Sequence, residues 1–241
     1  EGYFDSVVNY WRVYSSNNQR SKKICQKFFS KVLNIKKFPL TYLESTTACE
    51  LSKILENTFR ATNIALIDEW SQFAEKNKID IFKIIDAIKL RPTHKNIMLP
   101  GFGVGGYCLT KDPLFGIVSA KNILKQKKFY FPISELSVKI NNKMPLNILR
   151  HINKKFKKLK NKKILIIGAT YKSGIDDVRF SPTKILAENL LKHDADLKIY
   201  DQYVKYWYKF KKNMISRINK KEKFDIIILT IKNNFYKKIN L

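Results

Sequence analysis

Cys108 ends a run with four glycines in six residues, Gly101-Phe102-Gly103-Val104-Gly105-Gly106-Tyr107-Cys108, and Lys111-Asp112-Pro113 follows. Glycine lets a backbone turn tightly and approach another group closely. A thiol presented on such a loop is a candidate nucleophile if a neighbour favours its thiolate or stabilises the product of its attack. The same pattern suits a buried structural cysteine after a flexible turn, and the local sequence leaves both readings open. The run also satisfies G-x-G-x-x-G. Helix and Pro100 precede it rather than a strand, and no helix start is expected at once after it, so a dinucleotide fingerprint is rejected. A loop that hugs a ligand while presenting Cys108 fits better.

Two further groupings could do chemistry. Lys53 and Asn57 are four residues apart and share a helix face. Turned to a cleft they would be donors for a developing oxyanion. Turned to water they are a solvated stripe that Arg60 and Asn63 continue. The second grouping is Gly168-Ala169-Thr170-Tyr171-Lys172, followed by Asp176-Asp177-Val178-Arg179-Phe180-Ser181-Pro182. It follows a buried strand and leads into a helix that Ser181 can cap, with Pro182 in the first turn. Lys172 and Arg179 then sit at the carboxyl edge of a parallel sheet, where such folds bind ligands, and Arg suits phosphate. A charged surface turn is the plainer alternative.

These groups need elements to hold them, and 241 residues with 44% hydrophobic content and 16 Phe suffice for one large or two small cores. No apolar run approaches membrane-span length and no signal peptide is expected. Three cysteines (Cys25, Cys49, Cys108) and three scattered histidines form no metal set and no disulfide framework. That usage fits a reducing cytoplasm. The net charge of +27 is large, and Ile152 to Lys163 holds seven lysines in twelve residues. Lysine is nevertheless spread through every expected helix, as a Lys-, Asn- and Ile-rich codon bias would produce. No nucleic-acid module is recognisable, so nucleic-acid binding is not expected and anionic small molecules remain compatible.

Residues 1–44 read as an incomplete α/β piece, with a helix over 21–33, no opening strand and no cap, as in a chain entered midway. Residues 45–157 read as all-helical. A helix of about 30 residues runs from Ala48 to Asn77 with Ser45 or Thr46 as cap. Asp80 caps a second helix to Leu90, and a third begins near Asp112. A fourth covers Ser134 to Asn142, with Pro145 interrupting before helix resumes toward Lys157. From 158 to 241 the pattern changes to strands at 163–168, 197–200 and 224–231 around a helix at 182–193. This spacing predicts a parallel α/β domain that the chain leaves incomplete.

In order along the chain, Glu50 to Ala61, Gly103 to Asp112, Ile140-Asn141-Asn142-Lys143-Met144-Pro145 and Gly168 to Pro182 together resemble the UDP-glucose/GDP-mannose dehydrogenases. These enzymes oxidise nucleotide sugars to uronic acids, as in polysaccharide biosynthesis. The resemblance implies a multi-domain α/β fold. A largely missing N-terminal NAD-binding domain (1–44) is followed by a central helical dimerisation domain (45–157) and an incomplete Rossmann-like nucleotide-sugar domain (158–241). It implies Cys108 as nucleophile, forming a thiohemiacetal and then a thioester. Lys53 and Asn57 would stabilise oxyanions, and Asp112 would place or activate water. Arg91, Gly103, Gly105, Gly106 and Lys172 would contact the sugar nucleotide, Arg91 across a dimer interface, and Arg179 the dinucleotide phosphate. NAD is the implied cofactor, since no side chain accepts hydride. A nucleotide sugar and a second copy are the implied partners. The family's thioester-hydrolysing glutamate is not placed in this sequence, and because the NAD-binding domain is expected to be largely missing, the isolated chain is not expected to transfer hydride. A non-catalytic binding and dimerisation module and a basic nucleic-acid binder are the alternatives.

Overall fold

Residues 2–126, 128–219 and 221–231 are described by a computed structural model of the chain. It divides into two compact units, Glu1–Glu56 and Asn57–Leu241, and the boundary falls within a long helix.

In the first unit, helix α1 (Tyr3–Val8) leads to strand β1 (Arg12–Tyr14), helix α2 (Gln19–Val32) and strand β2 (Leu40–Tyr42). β1 and β2 pair in parallel, with Val13 opposite Thr41. The first element is thus a helix with no side-chain cap, as expected. β1, too short to stand out in the sequence, follows it, and the helix expected over 21–33 begins at Gln19, where the Asn18 side chain accepts a hydrogen bond from the Ser21 N–H at 2.8 Å. Tyr14 is buried, with edge-on ring contacts to Tyr42 and Phe29.

Helix α3 runs Thr46–Lys76, and the Ala48 N–H donates to Ser45 Oγ at 3.3 Å. Small residues make its buried stripe, Ala61, Ala65 and Ala74 with Ile67. α4 (Ile81–Lys89) starts at Asp80, whose carboxylate accepts from the N–H groups of Phe82 and Lys83. α5 spans Cys108–Val118 and continues into a wider π-helical turn, Ser119–Ile123. Its start corrects the expected one near Asp112: the helix begins four residues earlier, immediately after the glycines.

α6 runs unbroken from Pro132 to Lys155, with Pro145 inside it. The expected interruption does not occur. Proline costs a helix interior about 3 kcal/mol, but here Asn141, Met144, Pro145, Leu149 and Ile152 are all buried. Asn141 Nδ2 also ties the helix to the Ala61 carbonyl of α3 at 2.9 Å. Tertiary burial outweighs the local cost.

The remainder is a parallel sheet in the order β5-β4-β3-β6: β3 (Lys163–Ile167), β4 (Asp196–Tyr200), β5 (Met214–Ile215) and β6 (Ile226–Leu229). Ile164 lies opposite both Leu197 and Ile226. Helix α7 (Pro182–Lys192) buries Leu186, Ala187 and Leu190 in the same core as Ile164, Ile166, Ile199 and Phe210. β6 is shorter than the expected 224–231, and residues 232–241 lie outside the described residues.

Candidate functional site

Cys108 is the first residue of α5, and no side-chain oxygen caps that helix start. Thr110 Oγ1 donates back to the Gly106 carbonyl at 2.7 Å and fixes the turn. An uncapped helix start presents N–H groups that favour negative charge. Cys108 is exposed at a cleft of about 380 Å³, lined also by Arg60, Gly103, Gly105, Gly106, Tyr107, Tyr171 and Lys172. The exposed thiol rules out the buried structural cysteine.

The glycines serve a purpose the sequence did not reveal. They line the cleft, but they are glycines because protein, not ligand, crowds them. A Cβ on Gly105 would strike the Tyr171 Cβ and come within 2.9 Å of the Phe180 carbonyl. On Gly103 it would meet Pro182 Cβ at 2.6 Å, and on Gly106, at φ +79°, the Tyr171 ring at 2.8 Å. The Gly106 N–H donates to the Arg179 carbonyl at 3.0 Å. The loop is thereby seated on segment 171–182 while its glycines also line the cleft. The helix start that follows at once also removes one reason for rejecting a dinucleotide fingerprint. The other stands, since no strand precedes the loop.

Asn57 is completely buried, and its Nδ2 donates to Asp112 Oδ2 at 2.7 Å while its Oδ1 has no protein partner. Lys111 Nζ holds the other Asp112 oxygen at 3.0 Å. Asp112 lies one helical turn beyond Cys108, so the pair supports the helix that carries Cys108 from beneath. The solvated-stripe reading therefore fails at Asn57 and at Asn63, whose side chain holds the Asn96 carbonyl and the Met98 N–H. Lys53 is exposed and pairs with Glu56 at 3.1 Å. Arg91 is exposed just before a 3₁₀ turn (Pro92–His94) and does not line the cleft.

The sheet edge is held by Asp201, a residue the sequence reading passed over. Its buried carboxylate accepts from the N–H groups of Ala169 (2.7 Å), Tyr203 (2.8 Å) and Val204 (3.1 Å). Thr183 and Thr230 hydroxyls both donate to the Gly168 carbonyl. These bonds place Tyr171 and Lys172. Ser181 caps α7 through the Thr183 N–H, as expected. Arg179 is held by Asp177, whose carboxyl the guanidinium keeps below the ordinary range, and lies over the Tyr107 ring. Burial, then Asp177, raises the Tyr171 phenol, so it stays protonated. Arg60, Tyr171 and Asp177 were missed as site residues. The signals were Arg60 one turn after Asn57, and an Asp-x-Arg spacing that suits a local turn.

Among the described residues no glycine-rich turn between a strand and a helix cradles the implied dinucleotide. The turn between β1 and α2, Ser15 to Asn18, contains no glycine, and Gly2 is the only glycine before Gly101. The diphosphate of NAD needs the backbone approach that such glycines permit. Among the described residues no group of His, Cys, Asp or Glu could hold a metal ion, and no helix is long and apolar enough to cross a membrane.

The two segments that meet at this cleft both match known proteins. Residues 47–143 match the central domain of the UDP-glucose/GDP-mannose dehydrogenase family, and residues 165–241 match that family's UDP binding domain. The chain belongs to the UDP-glucose/GDP-mannose dehydrogenase family. It is 32% identical over 198 residues to UDP-N-acetyl-D-mannosamine dehydrogenase of Methanococcus aeolicus, covering 80% of this chain and 42% of that protein. It is also 32% identical over 191 residues to UDP-glucose 6-dehydrogenase of Rickettsia conorii, covering 78% of this chain and 42% of that one. The structure of the Pyrococcus horikoshii UDP-D-ManNAc dehydrogenase superposes with a TM-score of 0.78 at 25% identity, over 99% of this chain and 54% of the other. The chain thus spans about two fifths of the length of these curated relatives.

Proposed function

We propose that this chain carries the thiol site and the nucleotide-sugar site of a dehydrogenase that oxidises the sugar C6 CH2OH of a UDP- or GDP-linked sugar to the carboxylate. The observation that supports this most is that Cys108 and Lys172, contributed by the two matched domains, line one cleft. Lys172, with the backbone of Gly103, Gly105 and Gly106, would hold the sugar nucleotide. Cys108 Sγ would add to the C6 aldehyde, and the open N–H groups of α5 would receive the resulting oxyanion. Asn57, buried under α5, gives one Nδ2 hydrogen to Asp112 and holds the helix that presents Cys108. Asp112 would place the water that releases the acid from a thioester. Two hydride transfers to NAD are required by the overall change. The described residues do not fit that cofactor, so the proposal is confined to addition, charge stabilisation and hydrolysis, and Arg179 is assigned to a ligand phosphate. Alone, these residues bind rather than transfer hydride. A homodimer formed through α3, with Arg91 reaching the partner's substrate, completes the proposal.

The test is protection of the thiol. Iodoacetamide labelling is followed by peptide mapping, with and without saturating UDP-glucose or UDP-N-acetylmannosamine. The expected result is labelling of Cys108 slowed several-fold while Cys25 and Cys49 are unaffected. Unchanged labelling of Cys108 under calorimetrically verified binding would overturn the assignment.

A further inference from the structure

Asp177 holds Arg179 with both carboxylate oxygens. Arg179 Nε donates to Oδ1 and Oδ2 at 3.0 Å each, and Nη2 donates to Oδ2 at 2.7 Å. The Arg179 N–H also donates to Oδ1, at 2.8 Å. The Asp177 side chain is 19% exposed and that of Arg179 is 65% exposed, so the carboxylate is the fixed member. The two residues are neighbours in one loop, and an outward ion pair of this kind contributes little to folding. Its effect is on direction and charge.

The guanidinium is directed over the Tyr107 ring. Arg179 Cζ lies 5.2 Å from the centre of the Tyr107 ring, which Phe180 meets edge-on at 5.4 Å. Tyr107 lines the cleft directly before Cys108, and the Gly106 N–H is bonded to the Arg179 carbonyl. The guanidinium is thus held against a ring that lines the cleft, where, on the reading above, a neutral CH2OH becomes a carboxylate. An unpaired arginine there would bind that product more strongly than the substrate, because a guanidinium matches a carboxylate fork. Other cations meet the cleft or its floor. Lys111 is taken by Asp112, while Lys172 and Arg60 line the cleft.

We propose that Asp177 is a positioning residue of the thiol cleft: it holds the Arg179 guanidinium on the Tyr107 ring with its charge paired, so that the acid formed at Cys108 is released rather than retained. The inference rests on Cys108 acting at C6. Two of the five guanidinium N–H groups point at Asp177, and three remain for a ligand phosphate.

The test compares affinities for UDP-glucose and UDP-glucuronate, which differ in charge only at C6, by calorimetry. Asp177→Asn keeps the shape and an oxygen for the Arg179 N–H but removes the charge. It is expected to tighten UDP-glucuronate relative to UDP-glucose on the order of three- to tenfold, the size of one newly unpaired charge in a half-solvated site. Asp177→Asn with Arg179→Gln is expected to return the ratio to that of the unaltered protein, a reversal that a merely structural Asp177 would not produce. An unchanged ratio in Asp177→Asn, with both ligands bound and the melting temperature preserved, overturns this inference alone. If neither ligand binds the unaltered protein, the functional reading falls, and this inference with it.

Discussion

At the scale of single residues, the buried polar groups are the ones with work beyond packing. Asn57 and Asp112 make a buried pair under the helix that carries Cys108. Asp68 makes another, between α3 and α6, accepting from Gln72 Nε2 at 2.7 Å and Asn147 Nδ2 at 3.2 Å. Burial raises the Asp68 carboxyl above its ordinary 3.8, against the opposing effect of those two bonds and of Arg150. Because the folded value is the higher one, the native state holds this proton more tightly. The contribution of Asp68 to stability therefore falls as pH rises through the carboxylate range and is level above the folded value. Urea midpoints of the unaltered protein and Asp68→Asn, compared from about pH 4 to pH 7, are expected to diverge in favour of the variant as pH rises. A constant difference would show that Asp68 does not titrate abnormally.

At the scale of elements, the decisive contact is the seating of the glycine loop on segment 171–182. Gly105→Ala puts a methyl group onto the Tyr171 Cβ and against the Phe180 carbonyl, and neither backbone nor a Cβ gives way easily. A loss of about 1–3 kcal/mol is expected, together with altered iodoacetamide reactivity at Cys108 as the loop lifts. Gly101→Ala, with nothing within 4 Å of the added Cβ, is the control and is expected to leave both unchanged. Equal urea midpoints for the two variants would show that the loop accommodates bulk without cost. The same contact explains why Pro145 is tolerated. Its ring lies near Gly103, so the helix that carries it is part of the same seat.

At the scale of the molecule, α3 and α4 leave an apolar hollow of about 460 Å³ lined by Leu66, Trp70, Phe73, Ile79, Ile84 and Ile88. Trp70 and Phe73 are 54% and 55% exposed there. An exposed apolar patch of this kind is typical of surfaces that another molecule covers. The proposed homodimer places it at the contact, so Trp70→Glu is expected to convert a dimer to a monomer in sedimentation velocity with helix content unchanged. A monomeric unaltered protein at micromolar concentration would remove this part of the proposal.

Much of the fold was legible because local rules and tertiary packing agree. The glycine-free stretch of α3, the Asp80 and Ser181 caps and the apolar β3 each carry their signal within a few residues. The Cys108 loop was legible as a unit, and so was its family. What the sequence did not contain was the identity of neighbours far along the chain. Three glycines are explained only by Tyr171, Phe180 and Pro182, some 65 to 80 residues away. Asn57 is buried only because Asp112 meets it, and α6 survives Pro145 only because both its sides are packed. Sequence by itself determined which residues could do chemistry and which elements carry them, because residue type and periodicity are local. Tertiary structure decided which of those residues share a cleft, which are tied to one another and which face water, because burial and pairing are set by segments that meet only on folding.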